Sequence, residues 1–143
     1  MFSGCTSLIT PPLLPATILG NHCYAGMFRG CSSLIYAPAL PAITLAEGCY
    51  SSMFQGCTSL SIAPDLPATT LADYCYTAMF ANCSSLTDAP SLPATTLAFT
   101  CYSAMFSGCT NLSSIAVTFT SWNNGIGYWV YNVANEGTFY CPE

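Results

Sequence analysis

A period of 26 residues constrains this chain more than any other feature. Met-Phe recurs at Met1, Met27, Met53, Met79 and Met105, always at that interval. The unit reads L-A-x-x-C-Y-x-x-M-F-x-G-C-[ST]-S-L-x-x-A-P-x-L-P-A-T-T. Four copies follow one another without insertion, and a fifth starts at Met105 and diverges after Leu112. No single unit holds enough apolar surface for a core of its own, so equivalent residues of successive units must pack against one another.

Within the unit, residues 45–55 can be placed on a helical wheel at about 100° per residue. Leu45, Ala46, Cys49, Tyr50, Met53 and Phe54, which repeat, fall on one half of it. Glu47, Gly48, Ser51, Ser52 and Gln55, which vary, fall on the other. The pattern predicts an amphipathic helix with a constant core face. Thr44 with Glu47, and Thr70 with Asp73, have the spacing of capping boxes. Gly30, Gly56 and Gly108, with Asn82 in the fourth copy, stand where a left-handed residue would end the helix. The Leu-Pro-Ala stretches at Leu40, Leu66 and Leu92 read as extended connectors. Segments such as 57–64 suit a short strand. One strand and one helix in 26 residues lies within the length range of leucine-rich repeats, roughly 20–29 residues. The expected fold is therefore α/β: a leucine-rich-repeat solenoid over 1–114 that starts in mid-repeat, with a capping segment over 115–143.

The motif F-x-G-C-[ST]-S-L, followed by L-P and a new unit, resembles the BspA-type leucine-rich repeats of bacterial surface proteins and of some phage and protozoan proteins. The resemblance covers residues 1 to about 114, and this unit is longer than that family's usual one. The tail 113–143 resembles end segments of repeat proteins from gut Bacteroidetes and their phages. These resemblances imply an extracellular or surface-exposed setting, on a cell or a virion.

Composition narrows the functional classes. Apolar residues make up 52% and charged residues only 5%, with a net charge of −5 and Arg29 as the sole basic residue. Apolar content this high argues against disorder. Phosphate recognition needs clustered Lys and Arg, so nucleic acid is not an expected partner. Ser, Thr, Gly and Pro interrupt each apolar run before the ~18–20 residues of a membrane-spanning helix, so no membrane span is expected. No secretory signal precedes the repeats. Met1 is the Met of a repeat, which reads as a fragment or the ordered part of a longer protein.

Ten cysteines invite a disulfide reading, but their columns argue against it. Cys5, Cys31, Cys57, Cys83 and Cys109 form one, and Cys23, Cys49, Cys75 and Cys101 another. Stacked equivalents have parallel rather than facing Cβ vectors, so free core thiols are expected; Cys141 lies outside both columns. There is no C-x-x-C and only one His, His22, so neither a zinc site nor any other metal or cofactor is expected. His22 has no Cys or carboxylate partner at a defined spacing and falls on the exposed half of the wheel. Glu47 and Asp73, with Asn21 in the same column, could make a weak cation site, but capping accounts for both. Asp65 and Asp88 read as solvated surface charge. The tyrosine column (Tyr24, Tyr50, Tyr76, Tyr102) falls at the edge of the core face, its hydroxyls reaching water or backbone. The Ser column from Ser7 to Ser85 reads as satisfying turn amides. No acid–base or nucleophile set assembles, so an enzyme is not expected.

Function is left to the positions that vary between copies. One column is Ile9, Ile35, Ser61 and Thr87; a second is Thr10, Tyr36, Ile62 and Asp88; a third is Leu13, Ala39, Asp65 and Ser91. Two readings of them stand, a partner-binding surface for a protein or glycan and neutral drift on exposed positions. Over the tail, Ile115, Val117 and Phe119 alternate with polar residues as in a strand, and Asn123-Asn124-Gly125 signals a turn. Six aromatic residues crowd the stretch from Trp122 to Tyr140. A β-rich aromatic cap over the apolar end of the stack is expected. At the other end Leu8 and Leu14 are expected to be open to water, which predicts self-association there. The function expected is a non-enzymatic recognition or adhesion module, with a structural phage virion component, a fibre or decoration protein, as the alternative.

Overall fold

The computed structural model describes residues 1–142. Each 26-residue unit brings the chain back beside the preceding one, so equivalent side chains stack. The phenylalanines Phe2, Phe28, Phe54, Phe80 and Phe106 form a ladder with ring centroids 5.6–5.7 Å apart and near-parallel planes. Tyr24, Tyr50, Tyr76 and Tyr102 form a second at 5.8–5.9 Å. Beside them lie the methionine, leucine and cysteine columns, fully buried in the middle units. Burying each such side chain stabilises the fold by roughly 1.5–3 kcal/mol, so the core is one continuous apolar column.

The expected helix is not there. Among the described residues the only helical segment is the short 3-10 turn Asn124–Ile126, and the only strands are β1, Ser114–Ala116, and β2, Thr138–Tyr140. The chain is thus not a leucine-rich-repeat solenoid of one strand and one helix per unit. Segments 20–31, 46–57, 72–83 and 98–109 are instead ribbons of consecutive turns. In 46–57 the N–H groups of Cys49, Ser51, Met53, Gln55 and Cys57 each donate to the carbonyl three residues back. The alternate N–H groups, of Gly48, Tyr50, Ser52, Phe54 and Gly56, point along the stack and donate to Asp73, Cys75, Thr77, Met79 and Ala81 of the next ribbon at 2.8–3.0 Å. An α-helix would keep all of these bonds within the segment.

The backbone shows why a helix is excluded. Gly48, Ser52 and Gly56 have positive φ (57°, 54° and 75°), and so do Tyr74, Ala78 and Asn82 at the equivalent positions of the next ribbon. A left-handed residue at every fourth position is incompatible with a right-handed helix, whose φ stays negative. The repeat of the ribbon is therefore four residues, two buried and two partly exposed: Cys49-Tyr50, then Met53-Phe54, then Cys57. Gly30, Gly56, Asn82 and Gly108 are left-handed, but as recurrent members of the ribbon rather than as helix ends. Thr44 and Thr70, expected to cap helices, pair with each other across neighbouring units.

The strand expected after each helix shrinks to isolated bridges, Tyr36 with Ile62 and Asp88 with Ser114. The tail is not β-rich either. Its residues 124–131 form a shorter ribbon on top of 98–109, receiving hydrogen bonds from Tyr102, Phe106 and Gly108 at Gly125, Trp129 and Tyr131. Asn123 caps the 3-10 turn by accepting from the Gly125 N–H at 2.8 Å. β1 and β2 pair in parallel, Ser114 opposite Thr138. Phe119, Trp122, Trp129 and Phe139 close over Tyr102 and Phe106 as a cluster of tilted and edge-on rings. At the other end, Leu14 is 8% exposed, contrary to its expected opening to water, and Leu8 is half-buried.

Candidate binding surface

Each unit passes from its ribbon into a segment such as Leu34–Leu40, in which buried and exposed residues are set by short spacing. Leu34, Pro38 and Leu40 point inward, and Ile35, Tyr36 and Ala39 are exposed. The same holds in the other copies. Ile9, Thr10 and Leu13, Ser61, Ile62 and Asp65, and Thr87, Asp88 and Ser91 are all exposed. Backbone contacts hold the columns in register: Ser61 N–H donates to Ile35 at 3.1 Å and Ser113 N–H to Thr87 at 3.0 Å. Tyr36 Oη donates to Thr10 Oγ1 at 3.4 Å, tying two units together at the surface. Thr87 Oγ1 donates to the Asp88 carboxylate at 2.8 Å. The strip these columns form is apolar toward Ile9, Ile35, Tyr36 and Ile62, and polar or acidic toward Asp65, Thr87, Asp88 and Ser91.

Other residues singled out in the sequence fall elsewhere. His22 is exposed, left-handed at φ 57°, and its ring lies over Gly48 of the next unit. The Asp73 carboxylate accepts the Phe99 N–H at 3.0 Å, so it serves the backbone of the next unit. The tyrosine column lies deeper than expected: Tyr50, Tyr76 and Tyr102 are each 1% exposed, and the Tyr50 hydroxyl is buried without a hydrogen-bond partner. Burial pushes all three phenol pKa values up.

All ten cysteines are free; Cys5, Cys23 and Cys141 are exposed and the rest buried. The Cys31, Cys57, Cys83 and Cys109 thiols donate to the carbonyls of Phe2, Phe28, Phe54 and Phe80 at 3.0–3.1 Å. Desolvation pushes Cys49 and Cys101 up to about 11, and Cys57 and Cys109 up to about 12. The thiolate is the nucleophilic form, so these thiols are inert packing and bonding groups.

Sequence reasoning passed over a concavity in the tail. A cleft of about 370 Å³ opens between the second half of the tail and β1, with Trp122, Trp129 and Phe139 in its wall and Glu136 among its lining residues. The crowding of aromatic residues in 122–140 was the available signal, and a capping role alone accounted for it. No family model, curated protein or solved structure matches the chain.

Proposed function

We propose that the chain is a non-enzymatic recognition module that binds a protein or glycan through the strip of variable columns. The observation that carries this reading is the separation inside each unit. The apolar columns that repeat form the core, while three columns that change from copy to copy are exposed throughout and lie side by side in register. An exposed apolar stretch such as Ile9, Ile35, Tyr36 and Ile62 costs solubility and is characteristic of interaction sites. A surface setting, on a cell or a virion, is supported by the resemblance of the F-x-G-C-[ST]-S-L motif. The test is a screen of the chain against glycans and surface proteins, repeated with Tyr36→Ala and Ile62→Lys. Binding that both substitutions weaken supports the strip; binding that neither alters removes it.

A structural role in a virion is the second reading, and the polarity of the stack favours it. Ribbons 20–31, 46–57, 72–83 and 98–109 each donate N–H groups to the next ribbon along the stack. The N–H groups of Tyr128, Val130 and Asn132 in the tail ribbon meet no backbone acceptor among the described residues. That row of donors matches the row of carbonyls each ribbon offers to the ribbon before it, as head-to-tail stacking of copies requires. Light scattering at tens of micromolar decides: a monodisperse monomer counts against it, and growth with concentration supports it.

A further inference from the structure

The cleft in the tail is a second, independent place to look for a ligand, since none of the variable-column residues lines it. Its floor is formed by core residues, Leu112, Ile115 and Trp129, at 1%, 7% and 7% exposure. At its rim Trp122 and Phe139 are 52% and 46% exposed, with ring centroids 5.8 Å apart, and they present ring surface to solvent. Its volume, about 370 Å³, falls at the small end of ligand pockets, which run from roughly 300 to 1,000 Å³.

The polar inventory decides the ligand class. The Ser113 N–H and carbonyl are engaged with Thr87 and Thr138, and the Leu112 carbonyl accepts from Ala134. That leaves the Ser113 and Thr138 hydroxyls, the Trp122 and Trp129 indole N–H groups, the Val130 N–H and the Glu136 carboxylate, the one charged group of the lining. The lining is mainly apolar and aromatic, which favours a ligand with an apolar body over a saccharide. An anion would meet the Glu136 carboxylate, with no basic residue among those lining the cleft. The single charge of the lining is the Glu136 carboxylate and the wall is aromatic, which selects an apolar body carrying a positive charge. We propose that this cleft binds a small organic cation of that kind, an aryl- or alkyl-amine, with its apolar part against Trp122, Trp129 and Phe139 and its ammonium group toward Glu136.

The chain contains two tryptophans, and both line the cleft, so intrinsic tryptophan emission reports on this site alone. Three ligands of one shape separate the contributions: phenethylamine (cation), 2-phenylethanol (neutral) and 3-phenylpropionate (anion), each titrated to about 10 mM, the weak-binding range. The expected result is a saturable change in emission with phenethylamine, a weaker one with the alcohol and the weakest with the acid. Glu136→Gln, at an exposed position, should weaken the amine about fivefold, as loss of a partly exposed ion pair does, and leave the alcohol unchanged. Trp122→Ala should weaken all three, with saturation-transfer NMR as the readout. Equal affinities for the three ligands, no saturable change with any, tighter binding of a monosaccharide, or an amine preference that survives Glu136→Gln would each overturn the assignment.

Discussion

The phenylalanine carbonyl is the residue-scale hinge of the repeat. Phe28 accepts from the Cys31 N–H at 3.0 Å and from the Cys57 thiol at 3.1 Å, so both of its lone pairs are used, one within the unit and one by the next. The same double acceptance recurs at Phe2, Phe54 and Phe80. A cysteine suits this place because its thiol is small, apolar enough for a dry core and still a donor. Cys57→Ala should therefore lower unfolding free energy by about 1–2 kcal/mol, measured by denaturant titration. Tyr50 makes the opposite case. Its hydroxyl is buried without a partner, and an unmet buried hydroxyl costs about 1–3 kcal/mol. Tyr50→Phe keeps the ring ladder and should raise stability by about 1 kcal/mol on that account; a loss in the same titration would mean that the hydroxyl has a partner.

At the scale of the element, the turn ribbon and an α-helix make opposite demands on the same positions. Ala104 is left-handed at φ 52°. Left-handed backbone costs a non-glycine residue roughly 1–2 kcal/mol, so Ala104→Gly should raise stability by up to about 1 kcal/mol after the entropy cost of glycine. In a helix the same change would lower it by about 1 kcal/mol, so the sign of the shift in thermal melting discriminates between the two conformations. Gly56→Ala is the converse. An added Cβ would lie 3.8 Å from Gly30, ordinary contact, so only the backbone at φ 75° opposes it. A loss of about 1–2 kcal/mol is expected.

For the whole molecule, the continuous core sets both chemistry and pH response. Three exposed thiols, Cys5, Cys23 and Cys141, should react with a thiol reagent in the native state and all ten after denaturation; more than three fast native thiols would show the core to be open. The buried thiols have their pKa values raised by folding, from an ordinary 9.0 up to about 11 or 12. The unfolded chain then releases protons at lower pH than the native one. The stability these groups contribute is fully present below pH 9 and is lost as pH rises from there toward about 12. Unfolding free energy measured across that window should fall steadily, and a flat profile would contradict the burial of the thiol columns.

The sequence by itself determined which residues pack together. The period, the core columns, the exposed variable columns and the left-handed positions at Gly30, Gly56, Asn82 and Gly108 were all legible, because each depends on residue type at a constant spacing. The conformation between those positions was not legible. Periods of four and of 3.6 differ by about 10° per residue, too little to separate in a window as short as 45–55, and both put Cys49, Tyr50, Met53 and Phe54 on one side. Only the tertiary structure decided between them, because half of the ribbon's N–H groups find their acceptors in the next unit. Those bonds are non-local, and a segment read alone assigns its donors to itself. The cleft was hidden for the same reason. Trp122, Trp129 and Phe139 were visible as aromatic residues, but the gap they enclose with Ile115 exists only once the tail has folded back on the last ribbon.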